Sequence, residues 1–380
     1  MEKANKFLLR SFIICLAVLF SVFYLMQDNS NKSIEEVHEM RPKSDKEKIC
    51  LDFVSESMSR EDGGVYTNYL ESGGRLDYST GHEILSESVG LMMLYYVESG
   101  EKSLFDVQLE FLINNMLMPN GLIRWRVYEN SNGITETSSS IDDLRIIRAL
   151  IKAYESWNEA NYLQYALEAE SMVFEKEVVN GSLVNYYNQI DDESAKLINL
   201  CYIDFKTMSM LSRHESNWLE IMQRGFEIVE SGMISDGFPM YKKTYSIEFE
   251  KYLSQESINI LDSLTTIMHL SEIGKENQKS IDWIRDQLEN DGGIVLKYST
   301  NGSKLSQDES TAAYAIVSRI AKNIGDNNLY NKSMSNMIKL QVTDPESEIY
   351  GSFGYEGELE VFSYDNLQAL LAFRENMDRH

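Results

Sequence analysis

A short motif recurs along this chain at a nearly constant interval. A glycine is followed by a brief aromatic or β-branched run at Gly64 (GVYTNY), Gly121 (GLIRWRVY), Gly181 (GSLVNYY), Gly237 (GFPMYKKTY), Gly293 (GIVLKY) and Gly354 (GYEG, after YGSF). The spacings are 57, 60, 56, 56 and 61 residues. One glycine beside an aromatic residue carries no information. Six at such a period mark a repeat architecture, in which each unit is too small to bury its own apolar face and must stack on its neighbours.

Between successive glycines there is room for two helices and a loop, and apolar periodicity fills that room. The stretch Asp142 to Trp157 carries Ile147, Leu150, Ile151, Tyr154 and Trp157 at i, i+3, i+4, i+7 and i+10, one face of a helix. Similar patterns predict helices at about 43–58, 83–98, 104–112, 142–157, 159–177, 193–211, 214–231, 257–273, 276–290, 308–323, 327–340 and 363–376. Only four prolines interrupt the chain, which suits long helices. Twelve helices in six hairpins close into an all-α (α/α)6 barrel, with an inner and an outer ring. Length alone suggests two or three domains; the repeat argues for one, residues 43–380. An open solenoid is the other arrangement such hairpins allow. It would need polar end helices, whereas the last segment, Asn366 to Phe373, is rich in apolar residues.

The N-terminus has a different character. Lys3, Lys6 and Arg10 flank the start of an apolar run that continues to Met26, with no charge from residue 11 onward. From Phe7 the run would span roughly 30 Å as a helix, the thickness of a bilayer core. Basic residues before it place the N-terminus in the cytoplasm and the rest outside. Residues 1–27 are expected to be a signal anchor or a signal peptide, and residues 28–42 a polar linker. The barrel would then be extracytoplasmic, membrane-anchored at the cell surface or secreted, and monomeric.

The formal net charge is −25. That disfavours nucleic-acid binding, which needs a positive surface. Three cysteines (Cys15, Cys50, Cys201) cannot build a disulfide framework, and five scattered histidines form no HxH or HxxxH pair. No metal or cofactor is expected.

In such a barrel, loops entering the inner helices line one face, where a groove can form. Acidic residues recur at matching offsets after the glycines: Glu87, Asp143, Glu256 and Asp262, and Asp308 with Glu309. An acid at a helix start is most often a cap or a solvated charge. Glu87 stands apart, because it lies among Leu85, Val89 and Leu91. A carboxyl there would be partly desolvated and its pKa raised, as a general acid requires. Trp125, Tyr128, Tyr186, Tyr187, Tyr202, Tyr241 and Tyr245 lie in or soon after the glycine turns. They offer faces on which sugar rings stack, although most aromatic residues are core filler.

These residues resemble glycoside hydrolase family 8. Ser86-Glu87-Ser88-Val89-Gly90-Leu91-Met92 is similar to that family's SEGxGYGM segment, with Ser88 for the first glycine and Leu91 for the tyrosine. Ser140-Ile141-Asp142-Asp143, followed by Ala153 and Trp157, resembles its ASDADxxIA…A…W signature; Asp143 matches the second aspartate and Ile141 replaces the first. The resemblance covers about residues 45–376 and is nearest to divergent members of bacterial exopolysaccharide gene clusters. It implies an (α/α)6 barrel and an inverting mechanism, in which one carboxylic acid protonates the leaving oxygen and a second carboxylate activates water from the opposite face. It implies Glu87 as the acid, with Asp143 holding and distorting the sugar. The family's YDAxR segment, which supplies the base, has no match here. Asp262 is the first choice for that role, with Glu256 and Asp236 as alternatives. Trp125, Tyr202, Asp142, Glu256, Tyr186 and Tyr241 are the expected substrate contacts.

The expected function is an inverting endo-glycosidase acting on a β-linked polysaccharide, such as exopolysaccharide or biofilm matrix. The alternative is a non-catalytic polysaccharide-binding or assembly protein on the same barrel. A lyase or glucuronyl hydrolase would want basic residues to meet uronates, and the charge of −25 argues against it.

Overall fold

The computed structural model describes residues 42–71, 81–128, 135–357 and 359–374. The apolar N-terminal run lies outside them. No helix among the described residues is long and apolar enough to cross a membrane.

Among the described residues, twelve α-helices follow in chain order. They are α1 (Asp45–Ser57), α2 (Ser86–Ser99), α3 (Lys102–Phe111), α4 (Ser140–Trp157), α5 (Ala160–Lys176) and α6 (Phe205–Leu211). The second half supplies α7 (Trp218–Ser231), α8 (Ile260–Ser271), α9 (Gln278–Glu289), α10 (Thr311–Asn323), α11 (Asn327–Lys339) and α12 (Ser363–Arg374). The even-numbered helices form a ring: α2 packs on α4, α4 on α6, α6 on α8, α8 on α10, α10 on α12, and α12 back on α2. That closure excludes the open solenoid and makes the fold an (α/α)6 barrel.

Composition sorts the two rings. Nearly every residue of α2 is buried, and so is Thr311–Ala321 of α10. A helix apolar on all sides must be covered on all sides. Helix α9, outside, buries only Ser280, Ile281, Ile284, Gln287 and Leu288. Closure is held by charge as well as by packing. Glu47 of α1, fully buried, pairs with Arg374 of α12 and accepts from the Tyr95 hydroxyl of α2 at 2.8 Å.

After the outer helices the chain reverses in short bridged hairpins, Ser59 with Val65, Leu117 with Ile123, Val178 with Leu183, Met233 with Tyr241 and Gln341 with Phe353. The first four hold the recurrent glycines Gly64, Gly121, Gly181 and Gly237, the fifth ends just before Gly354, and they collect at the end where the inner helices begin. Gly293 has φ +143°, and a Cβ there would meet a Glu309 carboxyl oxygen at 2.3 Å, so only glycine fits. Three inner helices are entered from a strand paired with the next turn: Glu83–Leu85 with Arg126–Tyr128, Leu197–Asn199 with Thr244–Ser246, and Ser257–Asn259 with Lys297–Ser299.

One expected helix is much shorter than its pattern. Over 193–211 only Phe205–Leu211 is α-helical. Residues before it are drawn into strand pairing and a 3-10 turn, Leu200–Tyr202, and the Asp204 side chain caps the helix by accepting from Thr207 N at 2.9 Å. Backbone partners from 244–246 outcompete the local helical pattern.

Candidate active site

The first turns of the inner helices carry acids: Glu87 in α2, Asp142 and Asp143 in α4, and Asp262 in α8. Glu87, Asp142 and Asp262 face a central cavity of about 410 Å³ whose walls come from inner helices and the segments entering them. Glu87, Asp142, Asp262, Trp125 and Tyr202 all line it. In the closed ring α2 and α8 are three places apart, so Glu87 and Asp262 approach the axis from opposite sides.

Glu87 reaches solvent only through the cavity. It accepts no hydrogen bond from a described residue, although its helix start favours an anion. Burial first, and the Asp142 carboxylate second, push its pKa up to about 7 against the pull of Arg145. Arg145 is engaged elsewhere: its guanidinium pairs with Asp142, which also accepts from the Ser86 hydroxyl at 2.9 Å. The outcome is a carboxyl that keeps its proton near neutrality, in the middle of a cavity.

Asp262 is placed differently. Lys243 Nζ stands 3.2 Å from Oδ2 and forms an ion pair with it. The Cys201 thiol lies 3.9 Å from Oδ1. Both oxygens of this carboxylate are thus met by protein groups, Oδ2 by the ammonium and Oδ1 by the thiol.

Several expected residues lie elsewhere. Asp143 does not line the cavity. It is turned from the axis toward Ile123 N, which donates to it at 3.3 Å, and toward Glu177. Neighbours on a helix cannot share a face, so Asp142 takes the axial position and Asp143 the buried one. Asp143 and Glu177 each keep an oxygen that no donor reaches, as two acids sharing a proton would. Burial first, then the Glu177 charge acting on Asp143 and the Asp142 charge acting on both, hold the two above the usual carboxylate range. Glu256 is exposed and lines neither this cavity nor its neighbour, which Gln255 and Ser257 on either side of it do line. Asp236 is exposed and paired with Lys279. Tyr186 is 43% exposed and outside the cavity. Tyr241 is buried and borders the neighbouring cavity.

The structure adds residues that the sequence patterns did not single out. Arg145 and Tyr364 stand beside Glu87, and Arg148, Asp204, His269, Arg319 and Gln368 form a polar floor. Ligand atoms of Asp204, His269 and Glu272 lie within 4.8 Å of one another, close enough for a cation. The Arg148 guanidinium already fills that role. It pairs with Asp204 and donates to both oxygens of Glu272, at 2.5 and 2.9 Å. These carboxylates are built around the guanidinium, and the trio does not fit a metal ion in addition.

The closed six-hairpin barrel thus brings Glu87, its pKa raised to about 7, and Asp262 to one cavity from opposing inner helices. The model of the glycosyl hydrolases family 8 matches residues 56–280, more than half of the chain. The chain is a family 8 glycosyl hydrolase. This glycosyl hydrolase is 37% identical to a solved structure described as a novel alpha-amylase from Clostridium perfringens, covering 88% of this chain and 99% of that one with a TM-score of 0.81. It is 27% identical to YdaJ of Bacillus subtilis (strain 168), whose name proposes a lipoprotein, over 82% of this chain and 85% of that one. It is also 23% identical to Endoglucanase A of Acetivibrio thermocellus, over 76% of this chain and 63% of that one.

Proposed function

We propose that this hydrolase cuts a polysaccharide internally, with inversion at the anomeric carbon. Glu87 is the general acid. Asp262 is the general base, and Asp142 holds the sugar between them. The reading rests most on one observation: the carboxyl with a pKa near 7 and the Asp262 carboxylate, paired with a single ammonium, sit on opposing inner helices of one cavity. An inverting pair must straddle the sugar with room for a water molecule, at about 6.5–9.5 Å. Trp125, beside the Arg126 guanidinium stacked 4.4 Å from its ring, and Tyr202 offer faces to flanking sugars.

A β-linked glucan is the first substrate reading, supported by the likeness to Endoglucanase A. An α-linked glucan is the second, favoured by the higher identity to the chain described as an alpha-amylase. An extracytoplasmic place, with the cell's own matrix as substrate, is supported by the basic-then-apolar N-terminus and by the lipoprotein name of YdaJ. Incubation with β-1,4-glucan, mixed-linkage β-glucan and soluble starch, followed for new reducing ends, tests the reading. NMR of the first-formed anomer completes the test. Cleavage with inversion is expected. Binding without cleavage of any of these polymers would favour a non-catalytic role, and retention would remove Asp262 as the base.

A further inference from the structure

Beyond Asp262 the catalytic cavity continues into a second one of about 450 Å³, the two sharing Asn259, Leu261 and Asp262. Its chemistry is unlike that of the first. Lys243 and Lys297 line it, with Gln255 and Ser257, and Asp262 is its only carboxylate among the described residues. Gln255 has its carboxamide oxygen held by Lys243 N at 2.8 Å, which leaves the NH2 group as a donor. Lys297 is exposed, lies opposite Asn259 in the strand pair and has no carboxylate within ion-pair range among the described residues. A chain with 60 acidic and 35 basic residues thus sets two ammonium groups, an amide and a hydroxyl around one concavity at the end of its active site.

We propose that this second cavity is a subsite for a sugar unit bearing an anionic substituent, a carboxylate or a phosphate ester. The inference rests on the hydrolase reading for its location along the substrate. Donors outnumber acceptors there even with Asp262 paired to Lys243, and that pattern recognises an anion rather than a hydroxyl-only sugar. Asp262 neutralises one lysine, and Lys297 supplies the uncompensated charge. The overall negative charge does not prevent this, because exposed charges are screened over about 8 Å at physiological ionic strength. A sparsely substituted polymer would therefore be met locally by the lysines, whereas a fully anionic one would be repelled at longer range.

The test uses the full chain and neutral, carboxymethyl and phosphorylated derivatives of one glucan, with hydroxyethyl glucan as the neutral derivative. All are matched in degree of substitution. The ratio of kcat/KM, anionic over neutral, is expected to exceed one for at least one anionic derivative at physiological ionic strength and to fall as salt is raised further. Lys297→Gln should lower that ratio about two- to fivefold, the worth of one exposed ion contact, and Lys297→Glu should lower it further. A ratio indifferent to salt and to both substitutions overturns the proposal. Calorimetric binding of the same derivatives to the Glu87→Gln variant keeps the two readings separable. Salt-sensitive preference for the anionic glucan, without cleavage by the unmutated protein, would retain the subsite and discard the hydrolase. Equal binding of neutral and anionic derivatives would discard the subsite.

Discussion

Arg145 and Arg148 stand one helical turn apart on α4, and each meets carboxylates in the same cavity, but the two levels end in opposite protonation states. At the upper level, Arg145 pairs with Asp142 alone, and Glu87 is left without a donor. Burial and the nearby carboxylate then raise Glu87 to about 7. At the lower level burial also acts to raise Asp204 and Glu272. There Arg148 touches both carboxylates, and Thr207 donates to Asp204 twice, at 2.6 and 2.9 Å, so both are held below the usual carboxylate range. His269, between them, is kept neutral by burial. Depth in the barrel is therefore not what selects the proton carrier. The selection lies in how a guanidinium's few donors are shared among the acids around it.

The strongest way to sharpen the contrast is Glu87→Gln. The amide keeps the shape and cannot give up the proton. Turnover of the polymer should fall by about 10²–10⁴-fold, with the melting temperature no lower than that of the unmutated protein and glycan binding kept. Arg148→Met should do the reverse, leaving two buried carboxylates unpaired. A loss of about 3–5 kcal/mol in denaturant unfolding is expected; an unchanged midpoint would show that the lower cluster is not held as described.

Asp142→Asn addresses the upper level alone. It removes the carboxylate that raises Glu87 and frees Arg145 to lower it. The alkaline limb of kcat/KM, expected near pH 7, should move about one unit toward acid. A limb that stays in place would take Asp142 out of the account.

The smallest effect is assigned to the shared-proton pair. Asp143 and Glu177 have folded-state pKa values raised above their unfolded ones. Their contribution is complete below the unfolded carboxylate range and is lost as pH rises through the folded values. Glu177→Gln should flatten the fall in melting temperature between about pH 5 and 8. Asp204 and Glu272 have the opposite sign, and their contribution is lost as pH falls.

The barrel was legible in the chain because its turns repeat. The recurrent glycines stand out at a fixed period whatever lies between them, and at Gly293 the backbone, with φ +143°, requires one. Glu87 was legible for a related reason: an acid among Leu85, Val89 and Leu91 has no solvent to face. Asp142 and Asp143 are adjacent, and the matching signature pointed to the one that the structure buries. Which of two neighbours faces the axis depends on the rotation of α4, fixed by contacts with Ile123 and Glu177 that are distant in sequence. The strand content before α6 escaped for the same reason, since its partners lie near residue 245. Arg145 and Arg148 gave no signal as charges on a helix; their roles exist only once six helices meet.

The account stands on Glu87 holding its proton where the acids one turn below do not. Carbon-13 NMR of glutamate side-chain carboxyls, with Glu87 and Glu272 assigned by substitution to Gln, measures both in one sample. The account predicts a midpoint near pH 7 for Glu87 and one below the ordinary carboxylate value for Glu272. An ordinary carboxylate midpoint for Glu87, equal to that of Glu272 or below it, would contradict it.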